Sequence, residues 1–171
     1  MLHWTLAASV IASFATHEGG GRVHEILGYI ALGAAALRVV AGVAGGPRWR
    51  FGGFVRGPSD TLAYAKLVVA RREPRYLGHN PLGGWMIVAL LGATIAASLS
   101  GWLYTTDAYW GVEWVEELHG ALGDALVPLF VLHVSGVVFA SVRHRESLVG
   151  AMIHGRKRAT GPGDVPPPGA W

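Results

Sequence analysis

The sequence predicts an all-α fold, an integral membrane bundle of four helices. Apolar residues make up 51% of the 171-residue chain and charged residues only 15%. The apolar residues fall in four long blocks rather than in periodic stripes, the pattern of membrane spans. Basic residues, in contrast, gather in one long connection and at the C-terminus. The expected helices cover about 1–16, 23–43, 81–103 and 117–142, with a loop at 44–80. Residues 1–158 read as one membrane domain, and the Pro- and Gly-rich tail 159–171 as disordered.

The first block, Met1 to Thr16, falls short of the roughly 20 residues a span needs. Only two residues precede His3, and the basic n-region of a signal peptide is missing. We therefore expect this span to extend upstream of the given start, with His3 and Trp4 inside the membrane. Gly19, Gly20 and Gly21 then allow a tight connection. The second block opens with His24 and carries one charge, Arg38, fourteen residues later. Its dense small residues, Gly28, Gly33 and Ala34 to Ala36, permit close approach by a helix or a flat macrocycle.

The loop 44–80 holds seven Lys and Arg residues. Within it Pro58-Ser59-Asp60 predicts a helix start with Ser59 or Asp60 as cap. Leu62, Lys66, Leu67, Ala70 and Arg71 continue it as a short amphipathic helix on the membrane surface, ended by Pro74. The third block opens with GHNPLGGW. The connection Tyr104 to Glu117 carries Asp107, Glu113, Glu116 and Glu117 and no basic residue. The fourth block, Leu118 to Val142, is stopped by Arg143, His144 and Arg145. Placing the basic loop and both termini in the cytoplasm satisfies the positive-inside rule and makes this a multi-pass membrane protein.

The net charge of +3 does not indicate nucleic-acid binding, because the basic residues flank spans. The chain has no cysteine, which excludes disulfides, thiolate zinc sites, iron–sulfur ligation and covalent haem attachment. The chemistry that remains lies with histidine. His119 and His133 are fourteen residues apart on one helix. This places them about 21 Å apart along the axis and within about 40° of one face. Ionisable residues inside a span read as functional. With the topology above, His24 and His119 share the outer depth, and His3 and His133 the inner. Each pair would clamp the iron of a non-covalent b-type haem, an arrangement that fills both axial positions and favours electron transfer. Arg38 either neutralises an inner haem propionate or snorkels to the interface. His17 is a competing outer ligand that sits among loop glycines.

The His3-Trp4 pair, VHEILGY, GHNPLGG, the ELHG…LH pair and HRESLVGAMIHGRKR together resemble the bacterial cytochrome b561 family. The likeness is strongest to its nickel–iron hydrogenase cytochrome b branch and extends to about Arg158. It implies a four-helix cytochrome of the bacterial inner membrane with two b haems, ligated by His3, His24, His119 and His133. Such a protein passes electrons between quinone and a periplasmic redox partner, a hydrogenase or a c-type cytochrome. Related respiratory subunits imply a quinone beside Asn80, which as a residue before Pro81 is equally a helix cap. The outer acids form either a docking face for a basic redox protein or a solvated loop. Two other functions fit parts of the sequence. One is a superoxide:quinone oxidoreductase of the same family, which the acidic outer loops disfavour. The other is a histidine-lined metal or proton transporter, which would lack a haem spectrum.

Overall fold

The computed structural model describes residues 1–19, 21–47 and 49–166. Among the described residues it is all-helical, with six α-helices. These are α1 (Leu2–Ala15), α2 (Arg22–Ala44), α3 (Pro58–Val69), α4 (Pro81–Tyr104), α5 (Glu113–Arg143) and α6 (Leu148–His154). Three of them, α2, α4 and α5, are long and apolar enough to cross a membrane, whereas α1 is apolar but has 14 residues. The chain divides into two compact units. One comprises Met1–Ala41 with Ala89–Leu129, the other Gly42–Val88 with the chain from Phe130 onward.

The first unit packs on small side chains. Ala31, Ala34, Ala35, Leu91, Ala97 and Val115 are buried, together with Ser9, Thr94 and Ser100. Small residues let helix backbones approach closely where no hydrophobic effect drives them together. The buried hydroxyls of Ser9 and Ser100 are satisfied by carbonyls of their own helices, those of Leu6 (3.0 Å) and Ala97 (2.9 Å). Large apolar residues such as Ile26, Ile30, Leu37, Leu99 and Val127 are exposed instead, the inversion expected of a surface that faces lipid.

α5 begins at Glu113, four residues before the expected boundary. Glu113 and Glu116 lie in its first turn, where their charge complements the positive end of the helix dipole. Three acids that the sequence places in a connection, Glu113, Glu116 and Glu117, therefore belong to the helix itself. Between α1 and α2 the turn is a single 3-10 segment, His17–Gly19; Gly20 lies outside the described residues, as does Arg48.

In the second unit α3 forms where the sequence places it, but with a different start. Gly57 is the N-cap and Pro58 occupies the first turn, with no side-chain cap bond; proline suits that position because its missing N–H has no helical acceptor there. Tyr64 is buried while Leu62, Leu67 and Val69 are exposed, leaving an apolar face of the kind an interfacial helix presents. The segment before α3 lies against the start of α4. Trp85 Nε1 donates to the Arg56 carbonyl at 2.9 Å, and a Cβ at Gly84 would come within 2.7 Å of the Phe54 carbonyl. A short helix not foreseen from the sequence, α6, is capped by Ser147, whose side chain accepts from Gly150 N, and ends on Gly155 in the left-handed region.

Arg75 organises the rest of this unit. Its guanidinium is bidentate to Glu146, at 3.1 and 2.8 Å, and also reaches Asp164 at 2.6 Å. The side chains are only 4%, 6% and 10% exposed. Asp164 and Val165 fall within the stretch expected to be disordered, yet Val165 bridges Tyr76, accepting from Leu77 N and donating to the Arg75 carbonyl. Residues 167–171 lie outside the described residues. Alongside, Arg143 donates to Glu73 Oε1 at 2.7 Å and to the Arg71 carbonyl.

Arg75 holds the Glu146 carboxyl below its usual range, and the Gly161 N–H followed by Arg75 does the same for Asp164. Both folded values lie below the unfolded ones, so the stabilisation is complete above the ordinary carboxylate range. It is lost as pH falls through the folded values. Substituting one partner of a buried pair costs about 3 kcal/mol, roughly a hundredfold in the open fraction. Glu146→Gln should therefore speed tryptic cleavage around Arg156 to Arg158 by up to about two orders of magnitude at neutral pH. Acidification of the unaltered protein below about pH 4, read with an acid-active protease, should expose the same segment.

Candidate haem-binding site

His24, at the start of α2, and His119, in the second turn of α5, come together in the first unit. Their ring centroids are 5.8 Å apart and the ring planes nearly perpendicular, at 83°. Each ring is fixed from behind by a neighbouring helix. His24 Nδ1 donates to the Ser13 carbonyl of α1 at 2.9 Å, with Ser13 Oγ at 3.3 Å. His119 Nδ1 donates to the Ala97 carbonyl of α4 at 3.0 Å, with Ser100 Oγ at 3.2 Å.

A carbonyl only accepts, so each Nδ1 carries a proton, and in the neutral ring Nε2 then keeps its lone pair. This is the neutral tautomer a metal requires, held by the second-shell bond that ligating histidines commonly make. An imidazole nitrogen bonds a divalent first-row metal at about 2.0–2.1 Å. Two such rings on opposite sides of one ion would have centroids about 6.4 Å apart on those bond lengths, roughly half an ångström more than the 5.8 Å observed. A Cβ added at Gly28 or Gly123, one turn beyond each histidine, would meet no other atom within 4 Å, so neither residue obstructs a flat ring there. The pair therefore fits an axially ligated haem. Among the described residues no three His, Cys, Asp or Glu side chains converge on a metal position; a haem iron needs only two, since the macrocycle supplies the other four.

The remaining residues singled out in the sequence stand as follows. His3 packs edge-on against Trp4, with centroids 5.3 Å apart, and belongs with Arg38 to the first unit. His133 belongs to the second unit. His17 is stacked on Phe14 and donates from Nδ1 to the Phe14 carbonyl at 2.6 Å, so the ring that meets His119 is His24. Asn80 Oδ1 accepts from Gly83 N at 2.7 Å, making it the N-terminal cap of α4. It also lies beside the hydroxyl of Tyr64, which burial, with Glu73 nearby, pushes up to about 12. Four residues escaped sequence reasoning: Ser13, Ala97, Ser100 and Gly101. The available signal was a polar or Gly residue inside an apolar span, at ASLSG in α4 and at Ser13 in α1.

Apolar helices and two imidazoles held by backbone carbonyls are features that a membrane cytochrome of b type would carry. The family model described as prokaryotic cytochrome b561 matches residues 1–155, and the chain belongs to that family. No curated protein and no solved structure matches it. The family is one of haem-binding membrane cytochromes that act in electron transfer.

Proposed function

We propose that this cytochrome holds two b haems and carries electrons across the inner membrane between a periplasmic redox protein and the quinone pool. The observation that carries the reading is the His24–His119 pair with both Nδ1 protons committed to carbonyls. Haem supplies one-electron chemistry, and with both axial positions taken by histidine the iron is closed to substrate. The second pair is His3 with His133. It is supported by the fourteen-residue step from His119 to His133 within α5, which carries Pro128 between them; in an ideal helix that step is about 21 Å along the axis. Arg38 supplies a positive charge for a propionate at the inner level.

Purified protein should yield two b haems per chain by pyridine haemochrome assay. His24→Ala and His119→Ala should each remove one haem, and the same one, while His3→Ala and His133→Ala remove the other. Loss of both haems from any single folded variant would overturn the pairing.

Electrons leaving the inner haem would reach a quinone near Asn80. The capping bond to Gly83 gives Asn80 a structural role in any case, so the test must separate the two. Asn80→Asp and Asn80→Ser keep a cap acceptor and should retain helix content. Both should lower quinone reduction about tenfold if the amide contacts quinone. Unchanged reduction in these variants would leave Asn80 a cap alone.

On the opposite side, the acids Glu113, Glu116 and Glu117 begin the helix that carries His119. Trp110 and Trp114 are exposed beside them, at 71% and 54%. Tyr104 stacks on Trp110 and donates to Glu116 at 3.1 Å. Acids of one sign steer a basic partner such as a c-type cytochrome through the on-rate, and the aromatics offer the apolar centre of a contact. Screening lengths fall to about 8 Å at 0.15 M ionic strength, so electron exchange with a basic cytochrome should slow steeply up to that salt. Replacing Glu113 and Glu117 by Gln should flatten the dependence with both haem spectra unchanged. Exchange insensitive to salt and charge would remove docking from this face.

A further inference from the structure

We propose that residues 97–101 of α4 form a seat that fixes the His119 ring and sets the reduction potential of the outer haem, although α4 contributes no ligand to it. This rests on the reading of His24 and His119 as axial ligands. Ala97, Ser100 and Gly101 stand at i, i+3 and i+4, hence on one face of the helix, and each acts on the same ring. The Ala97 carbonyl accepts from Nδ1 at 3.0 Å. Ser100 donates its own hydroxyl proton back to that carbonyl at 2.9 Å, so towards His119 its oxygen, 3.2 Å from Nδ1, can only accept. The Nδ1 proton is thus shared between two acceptors that are themselves tied together, and Ser100 is only 6% exposed.

Gly101 supplies the space. A Cβ there would lie 2.8 Å from His119 Cε1, 3.2 Å from Nδ1 and 3.5 Å from Nε2. The ring cannot yield without stretching the bonds to Ala97 and Ser100, so any side chain at 101 trades against the hydrogen bonds that orient the ligand.

Both rings are held by the same kind of bond, a helix carbonyl with a serine oxygen beside Nδ1. On the other side, the Ser13 carbonyl that receives His24 also accepts from Thr16 Oγ1 at 3.1 Å and Thr16 N at 3.2 Å, and Ser13 Oγ is farther from its ring, at 3.3 Å. Both carbonyls thus have other donors, Thr16 at Ser13 and the Ser100 hydroxyl at Ala97, but at His119 the serine oxygen beside Nδ1 is itself tied to the accepting carbonyl. A histidine whose Nδ1–H is strongly hydrogen-bonded is the more basic ligand, and a more basic ligand favours the ferric state and lowers the potential. Through that bond α4 acts on the outer potential.

The test uses the full chain in detergent with both haems loaded. The outer haem is identified as the signal that His24→Ala removes. Ser100→Ala should keep two haems and shift the outer ferric/ferrous equilibrium about threefold toward ferrous, with the inner haem unmoved. Ser100→Thr, which restores an acceptor, should return it toward the original value. Gly101→Ala should alter the low-spin electron paramagnetic resonance signal of the outer haem by turning the His119 ring, or lower its occupancy alone. Unchanged outer potential in Ser100→Ala, or an unchanged outer signal in Gly101→Ala, would overturn the seat. If His119→Ala leaves the outer signal intact, the ligand assignment itself has failed, a result separate from either.

Discussion

A polar hydrogen in an apolar span must find an acceptor, and the outer site is built around that requirement. In hydrocarbon every backbone N–H and C=O is already committed to the helix, so the acceptor has to be a second lone pair on a carbonyl that is also part of a helix ladder. Ser13 and Ala97 provide those lone pairs to His24 and His119. One consequence is chemical: both rings are locked in the tautomer that leaves Nε2 able to bind metal. Another is architectural. α1 and α4 each hold a ring borne by a neighbour, so one pair of histidines ties together four helical segments of the first unit. Positioning two imidazoles and holding four helical segments together are here the same act.

The helical class and three of the four expected spans were legible in the sequence because each leaves a one-dimensional trace. Apolar block length gives the spans, basic residues mark their ends, and a histidine in a span is conspicuous by cost. The pairing of His24 with His119 came from depth alone, and the two rings do meet. What lay beyond reach involves atoms with no sequence signature. The carbonyls of Ser13 and Ala97 belong to residues of any kind, and the clearance at Gly101 exists only relative to a ring eighteen positions away. The start of α5 was misjudged for a different reason. Glu113 and Glu116 read as loop because they are charged, whereas the first turn of a helix welcomes acids. The tail was misjudged in part because Pro and Gly dominate its composition, while Asp164 and Val165 contribute through one ion pair and one bridge.

The two units treat charge in opposite ways. In the first, the two imidazoles that meet are satisfied by backbone carbonyls. In the second, buried charge is neutralised by charge: Arg75 with Glu146 and Asp164, Arg143 with Glu73. Burying ions is expensive and their pairing often returns little net stability, so the second arrangement is better understood as specifying a conformation than as strengthening it. Arg75 and Glu146 are 71 residues apart and Arg75 and Asp164 are 89. These bonds define which parts of the long connection and the C-terminal segment lie together, where few apolar residues are available to do so.

One atom departs from this accounting. Glu73 is almost wholly buried, its Oε1 is held by Arg143, and among the described residues its Oε2 has no hydrogen-bond partner. Burial acts to raise its pKa, yet the bond from Arg143 and the surrounding charges carry it below the usual carboxylate value, so the group is an anion at neutral pH. An anionic oxygen out of water attracts a donor strongly. Tyr64, five residues before the end of α3, is the neighbour that feels this charge, and with its pKa pushed up to about 12 it keeps its phenolic proton. That proton lies beside Asn80, the cap of α4. A carboxylate, a phenol that stays protonated and a capping amide therefore run from the buried ion pair to the N-terminus of a membrane span. The polar order of the second unit thus converges on the end of a helix, as that of the first converges on a pair of rings.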